Sequence, residues 1–234
     1  LPEPRTSRSI ADFVTGIVAK AFKTNGDMAS LGLPASLSSY DRDVFDDCTK
    51  LQSFSISSSN TKYKVVDGVL YSKDGKTLIR YPIAKSGTSF TVPSTVTTIG
   101  YSAFYKNANL TKVVMNSPVA VIDEYAFDAS HLTAIDIPSS VTTVKKYAFG
   151  SINGTISKVT IRVPDTTVDS TAFSGDTITD LCFGGYSDDW NSSSWKTALT
   201  DKYTNIHYWY WVSNGKLLEY FGYSTGFAVP SGVT

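Results

Sequence analysis

Side chains suited to acid–base, nucleophilic or metal chemistry are few in this 234-residue chain. There are two histidines, His131 and His207, and two cysteines, Cys48 and Cys182. A catalytic triad or a metal site needs such groups within hydrogen-bond or ligand distance of each other, and these four fall far apart along a repeating pattern. Glutamate occurs only at Glu3, Glu124 and Glu219, so a glycosidase-like carboxylate pair would have to be built from aspartates. Asp188 and Asp189 are adjacent and diverge on a strand, while Asp41, Asp43, Asp46 and Asp47 read as a solvated turn face without the spacing of a calcium loop. No H-E-x-x-H, P-loop or G-x-G-x-x-G string occurs. The expectation is a non-enzyme with no metal and no cofactor, so any function rests on binding.

The elements that would position a binding surface are repeats. The phrase V-x-x-I/V-x-x-x-A-F occurs at Val96–Phe104, Val119–Phe127 and Val141–Phe149, its phenylalanines 23 and 22 residues apart. Weaker copies end at Phe22, Phe45 and Phe173, with one long interval between Phe45 and Phe104 that must hold an insertion. A unit this short cannot bury its own apolar face, so it must stack on its neighbours. Between the phrases lies L-x-x-L-x-L, as in Leu110/Val113/Met115, Leu132/Ile135/Ile137 and Ile156/Val159/Ile161, whose last three positions have the period of a half-buried strand. Each repeat thus offers a strand, a turn often opened by Pro, and a return arc whose Phe plugs the interior.

The predicted fold is a mainly β leucine-rich-repeat solenoid, a right-handed coil with one curved parallel sheet and an irregular or 3-10 convex side. It is read as a single domain, 1–234. Residues 1–9 read as a frayed polar tail, 63–82 as a hairpin insert turning at Asp74-Gly75, and 184–202 as an irregular Trp-containing repeat with a helical turn near Trp190 to Leu199. The insert is expected to project from the coil, either as a recognition arm or as a brace over neighbouring strands. Phe227–Thr234 copies Phe90–Thr97 and stops in mid-phrase, so a continuation of the chain, or end-to-end self-association, is expected to cover that edge.

The alternation of I-P-S-S-V-T-T-V-x-x-x-A-F with L-T-x-I-x-I, together with the insert Val66–Pro82 and its looser copy at Val212–Leu218, resembles the BspA-like leucine-rich repeat proteins of bacterial and some protozoan cell surfaces. The resemblance covers roughly Ile10 to Thr234. It implies a secreted or cell-surface protein, and relatives that contact host matrix proteins or other microbes.

Composition fits a binding module. Lys+Arg and Asp+Glu are both 21, so the net charge is zero, which argues against a nucleic-acid partner. No run reaches the ~18 apolar residues of a membrane-spanning helix, and a chain that opens Leu1-Pro2-Glu3-Pro4 suggests removal of a signal peptide. Cys48 falls in the slot filled by Asn107, Ser130 and Asp176 in other repeats, where a polar group satisfies loop backbone. Cys182 is five strands further on, at ~4.8 Å per strand far beyond disulfide reach, so both are read as free thiols.

The non-apolar positions of L-x-x-L-x-L form two columns across the sheet, and the candidate protein-binding face within them is Ser53, Ser55, Lys112, Val114, Asp136, Lys158, Thr160, Asn205 and His207. Adhesion or protein binding through this face is the first functional expectation. The alternatives are a glycan-binding module using Asp188, Trp190, Trp195 and Trp209, and a passive surface spacer. Sequons at Asn109, Asn153 and Asn191 matter only in a eukaryotic secretory pathway.

Overall fold

The computed structural model describes residues 6–22, 26–116, 118–162, 167–183, 186–187, 205–208, 210–213 and 216–220. Among these there is no helix, and the chain winds as a solenoid of short parallel strands. The L-x-x-L-x-L segments stack in register as the main ladder. Ser7–Ser9, Ser30–Leu33 and Ser53–Ile56 form its first sheet, Ser89–Thr91 and Lys112–Val114 a second, and Ala134–Ile137, Thr155–Ile161, Thr177–Phe183 and Ile206–Tyr208 a third. Ser7–Ser9 is therefore an edge strand rather than part of a frayed tail. All three of its residues are exposed, which is why their polarity disguised it.

Where one sheet and an irregular return side are expected, the return side carries a second parallel ladder. The V-x-x-I segments pair as two-residue strands: Gly16–Ile17 with Ser39–Tyr40, and Thr98–Ile99, Val121–Ile122, Thr143–Val144 and Thr167–Val168 in one run that opens on the four-residue strand Thr77–Arg80. The inward residue of each strand in that run, Leu78, Ile99, Ile122, Val144 or Val168, is 2% exposed or less. Two-residue strands leave too short an alternation to be seen in sequence.

The return arcs explain the A-F phrase. Phe104, Phe127, Phe149 and Phe173 stack ring on ring at 4.8 to 5.0 Å, nearly parallel, and Phe104, Phe127 and Phe149 donate their backbone N–H to the alanine carbonyl of the next arc. The ring separation is the coil spacing itself, since in-register strands lie about 4.8 Å apart. Two residues before and two after the Phe, the backbone turns left-handed: Ser102, Tyr125 and Tyr147 on one side, Lys106, Ala129 and Ser151 on the other, with φ between 49 and 57°. This alternation aims every second N–H along the array, as in Ser102 to Glu124 O, Lys106 to Asp128 O and Ala129 to Gly150 O. A side chain in that conformation costs about 1 kcal/mol, and the next arc fills the second slot with glycine, Gly175. Ala129→Gly is therefore expected to stabilise the protein by up to ~1 kcal/mol, read as a raised urea midpoint; a lowered midpoint would show that the arc is not strained.

The insert is a three-stranded meander, Tyr63–Val66, Val69–Ser72 and Thr77–Arg80, and its last strand joins the return ladder. It does not project. The two-residue turn is at Asp67-Gly68, where both φ values are positive as a type I′ turn requires; at Asp74-Gly75 only the glycine is left-handed, and the second hairpin shifts register between Leu70 and Tyr71. Gly68 lies against Ser53, where a Cβ would come within 3.0 Å of the serine Cβ. Tyr81 then completes a seventh arc, stacking on Phe104 at 5.3 Å and donating its N–H to Ala103 O. The core is consequently two clusters rather than one. Val69–Ser72 stands between them, with Leu70 in the N-terminal cluster and Val69 and Tyr71 in the C-terminal one.

Arg80 ties the two parts together. It is 2% exposed and bonds Asp46 Oδ1, Phe45 O and Ser102 O, so Asp46 belongs to a half-buried ion pair and not to the expected solvated face. Burial raises the Asp46 carboxyl and lowers the Arg80 guanidinium from their ordinary values, in each case outweighing the attraction of the partner. Cys48 and Cys182 are both free and buried, and burial pushes the Cys48 thiol up to about 11. In the slot shared with Cys48, Asn107 caps Pro82 O and Ile83 O and accepts from Asn109 and Leu110, and Asp176 accepts from Ile152. A thiol cannot do this. Asn60, just before the insert, serves the N-terminal part instead, donating to Ala35 O and Leu37 O.

Candidate functional site

The expected binding columns exist as in-register rows, but the structure divides them. Ser53 pairs with Ser30 and Ser55 with Gly32 in the first sheet of the main ladder, whereas Lys112 and Val114 belong to the second sheet, and Asp136, Lys158, Thr160 and His207 to the third. The Asp67-Gly68 turn occupies the end of the first sheet, and Phe54 N donates to Gly68 O. Ser53 and Ser55 are thus separated from the remaining candidates. Asn205 precedes the last strand of the third sheet and donates to Asp180. Asp188, Trp190, Trp195 and Trp209, and the expected helical turn, lie outside the described residues, as do Asn191 and the segment 221–234. Asn109 and Asn153 donate to Lys85 O and Ala129 O.

The candidates that do come together line a trough where Lys112–Val114 and Ala134–Ile137 fail to join as one sheet. Only the strand entrance is linked, by Thr133 N to Thr111 O. The opening is about 360 Å³ and is lined by Lys112, Asp136, Lys158, Thr160 and Arg162, among others. Arg162 was not singled out from sequence, because it follows the strand and lies outside the L-x-x-L-x-L columns. It grips Asp136 from the adjacent coil through two bonds, Nε to Oδ1 at 2.7 Å and Nη2 to Oδ2 at 2.6 Å, and this hydrogen bonding raises the pKa of the Arg162 guanidinium. Asp136 is therefore charge-balanced within the protein. Thr160 is 5% exposed and Cys182 4%, so these two positions form floor and not contact surface; a short side chain in an in-register row is covered by longer neighbours. What remains accessible is Lys112 and Lys158, which enter no ion pair among the described residues, Lys158 standing in register with Asp180.

No cluster of three or more metal-ligating side chains exists among the described residues. His131 lies in an inter-coil loop with its N–H on Asn107 O, and His207 is on the last strand of the main ladder, in register with Cys182. Gly222 to Gly226 spells G-x-S-x-G, a string that signals a nucleophile only at a strand-to-helix turn; it lies outside the described residues.

Comparison with known proteins agrees with this architecture. The sequence profile of the BspA type leucine rich repeat region matches in six copies, over residues 6–66 and 84–196, leaving out most of the insert. A leucine-rich repeat protein from Eubacterium ventriosum has the same fold with a TM-score of 0.65 and 25% identity, covering 77% of this chain and 48% of its own. A leucine rich cell surface protein from Faecalibacterium prausnitzii aligns at TM-score 0.53 and 23% identity over 78% and 54%, and the pneumococcal vaccine antigen PcpA at 0.52 and 18% over 82% and 57%. The chain spans about half the length of these solved structures. No curated protein matches it by sequence. No helix among the described residues is long and apolar enough to cross a membrane. Six matched copies on a two-ladder coil make this chain a member of the BspA-type leucine-rich repeat family.

Proposed function

We propose that this chain is a non-catalytic binding module of a secreted or cell-surface protein, and that it holds a partner protein through the trough of the main ladder. The observation that carries this reading is the charge state of the trough: Arg162 neutralises Asp136, while Lys112 and Lys158 stand exposed without ion-pair partners among the described residues. Two such lysines on a chain with no net charge select an acidic patch on a partner and set its register, at little desolvation cost. Host matrix proteins or microbial surface proteins are the class of partner. Further coils of a longer array would add weak contacts in parallel.

The test is the double substitution Lys112→Glu with Lys158→Glu, assayed on immobilised extracellular matrix proteins. Binding is expected to fall at least tenfold and to become less salt-sensitive, with the melting temperature unchanged because both side chains are exposed. Undiminished binding would remove the trough from the mechanism, and no binding by the unaltered chain would favour a passive spacer.

A further inference from the structure

The return side carries a second opening, unrelated to the lysine-bearing trough. Ser39–Tyr40 ends one run of the return ladder and Thr77–Arg80 begins the next, and between them is a cleft of about 400 Å³, within the size range of small-molecule pockets. Tyr40, Tyr63 and Tyr101 wall it, with Arg42 and Asp123 at the rim. The Tyr40 and Tyr63 rings meet at 5.5 Å. Arg80 also lines the cleft at 2% exposed, and its three hydrogen bonds all come from the terminal nitrogens.

The aromatic surface does not stop at the rim. The half-exposed ring of Tyr101 contacts Tyr125 at 5.7 Å, and Tyr125 contacts Tyr147 at 5.4 Å, one tyrosine per coil. The charges at the cleft are paired within the protein, and beside the row Lys146 lies over the Tyr147 ring at 5.0 Å. Arg42 lies over Tyr101 and pairs with Glu124, Asp123 pairs with Lys145, and Arg80 pairs with Asp46.

We propose that this cleft and row form a binding track for a linear, uncharged polysaccharide, its end seated between Tyr40, Tyr63 and Tyr101 and its following sugars laid on Tyr125 and Tyr147. A pyranose offers an apolar C–H face that stacks on an aromatic ring and a rim of hydroxyls that need both donors and acceptors. The track supplies rings at one-coil intervals, a donor at Arg42 and an acceptor at Asp123. The paired charges of the cleft select against an acidic polymer, and the lack of a large apolar patch distinguishes the track from a groove for a peptide helix. The return side of the array is then a glycan face, distinct from the protein-binding trough of the main ladder.

Electrophoresis of the whole chain through native gels containing hydroxyethyl cellulose, galactomannan or hyaluronan tests this directly. The two neutral polymers supply the probe and hyaluronan the charged control. Retardation by at least one neutral polymer and none by hyaluronan is expected. Tyr101→Ala with Tyr125→Ala is expected to weaken the retardation at least tenfold, and Lys112→Glu with Lys158→Glu to leave it unchanged. Arg42→Ala guards against a folding artefact, because that side chain is 73% exposed; it is expected to weaken retardation several-fold at an unaltered melting temperature. Absence of retardation in both neutral polymers, retardation by hyaluronan alone, or retardation that survives both the tyrosine and the Arg42 changes would overturn the proposal.

Discussion

Arg80→Met is expected to destabilise the protein by about 3 kcal/mol, lowering the melting temperature by roughly 10 °C. The guanidinium side chain is 3% exposed and holds two backbone carbonyls, Phe45 O and Ser102 O, as well as Asp46. Methionine fills much of the volume but leaves all three acceptors unpaired, and an unpaired buried charge costs more than the ion pair gained. The pH dependence follows from the raised carboxyl of Asp46. Its folded-state pKa lies above the unfolded value, so the folded protein is penalised above that pKa and relieved as the pH falls through it. Without Arg80 the penalty grows, and the deficit of Arg80→Met is expected to be smaller at pH 4 than at pH 7. Arg80→Met with Asp46→Leu should recover part of the loss at pH 7. Equal deficits at both pH values would show that lost carbonyl contacts, and not the carboxylate, carry the effect.

Phe127→Ala is expected to cost about 4 kcal/mol, the range for deleting a fully buried phenylalanine. The ring is 0% exposed and touches Phe104 at 4.8 Å and Phe149 at 5.0 Å, so its loss opens a cavity that neither neighbour can fill without leaving its own coil. In a linear array each coil is held only by those beside it, so the damage is local. Hydrogen exchange should accelerate most from Thr98–Ile99 through Thr143–Val144 and least in Ser30–Leu33, which belongs to the other core cluster. Phe22→Ala should cost much less, because Phe22 is half-buried and its one ring contact, to Phe45, is at 6.2 Å. Uniform acceleration along the chain would contradict the division of the core.

The solenoid, the strand registers and the phenylalanine column are legible in sequence because each is a periodic apolar pattern. Four things are not. The return ladder has strands of two residues, too short to alternate. The seventh arc shortens the spacing from return strand to ring, with Leu78 and Tyr81 three residues apart where Ile99 and Phe104 are five, and so falls outside the phrase. Arg162 and Arg80 act across coils, and their partners Asp136 and Asp46 lie 26 and 34 residues away. The tyrosine cleft arises where a ladder is interrupted, which no local pattern records. The trough itself was half visible: its lysines were in the right column, but the split that separates Ser53 and Ser55 from them depends on where the insert's turn lands.

Binding through the trough is tested most directly by hydrogen exchange of the intact chain with and without a saturating extracellular matrix protein that it binds in the immobilised assay. The expected footprint is slowed exchange in Lys112–Val114, Ala134–Ile137 and the 158–162 stretch, with the return strands from Thr98 to Val144 unchanged. Protection confined to the return strands or to the N-terminal sheet, with the trough exchanging at its free rate, would contradict the account.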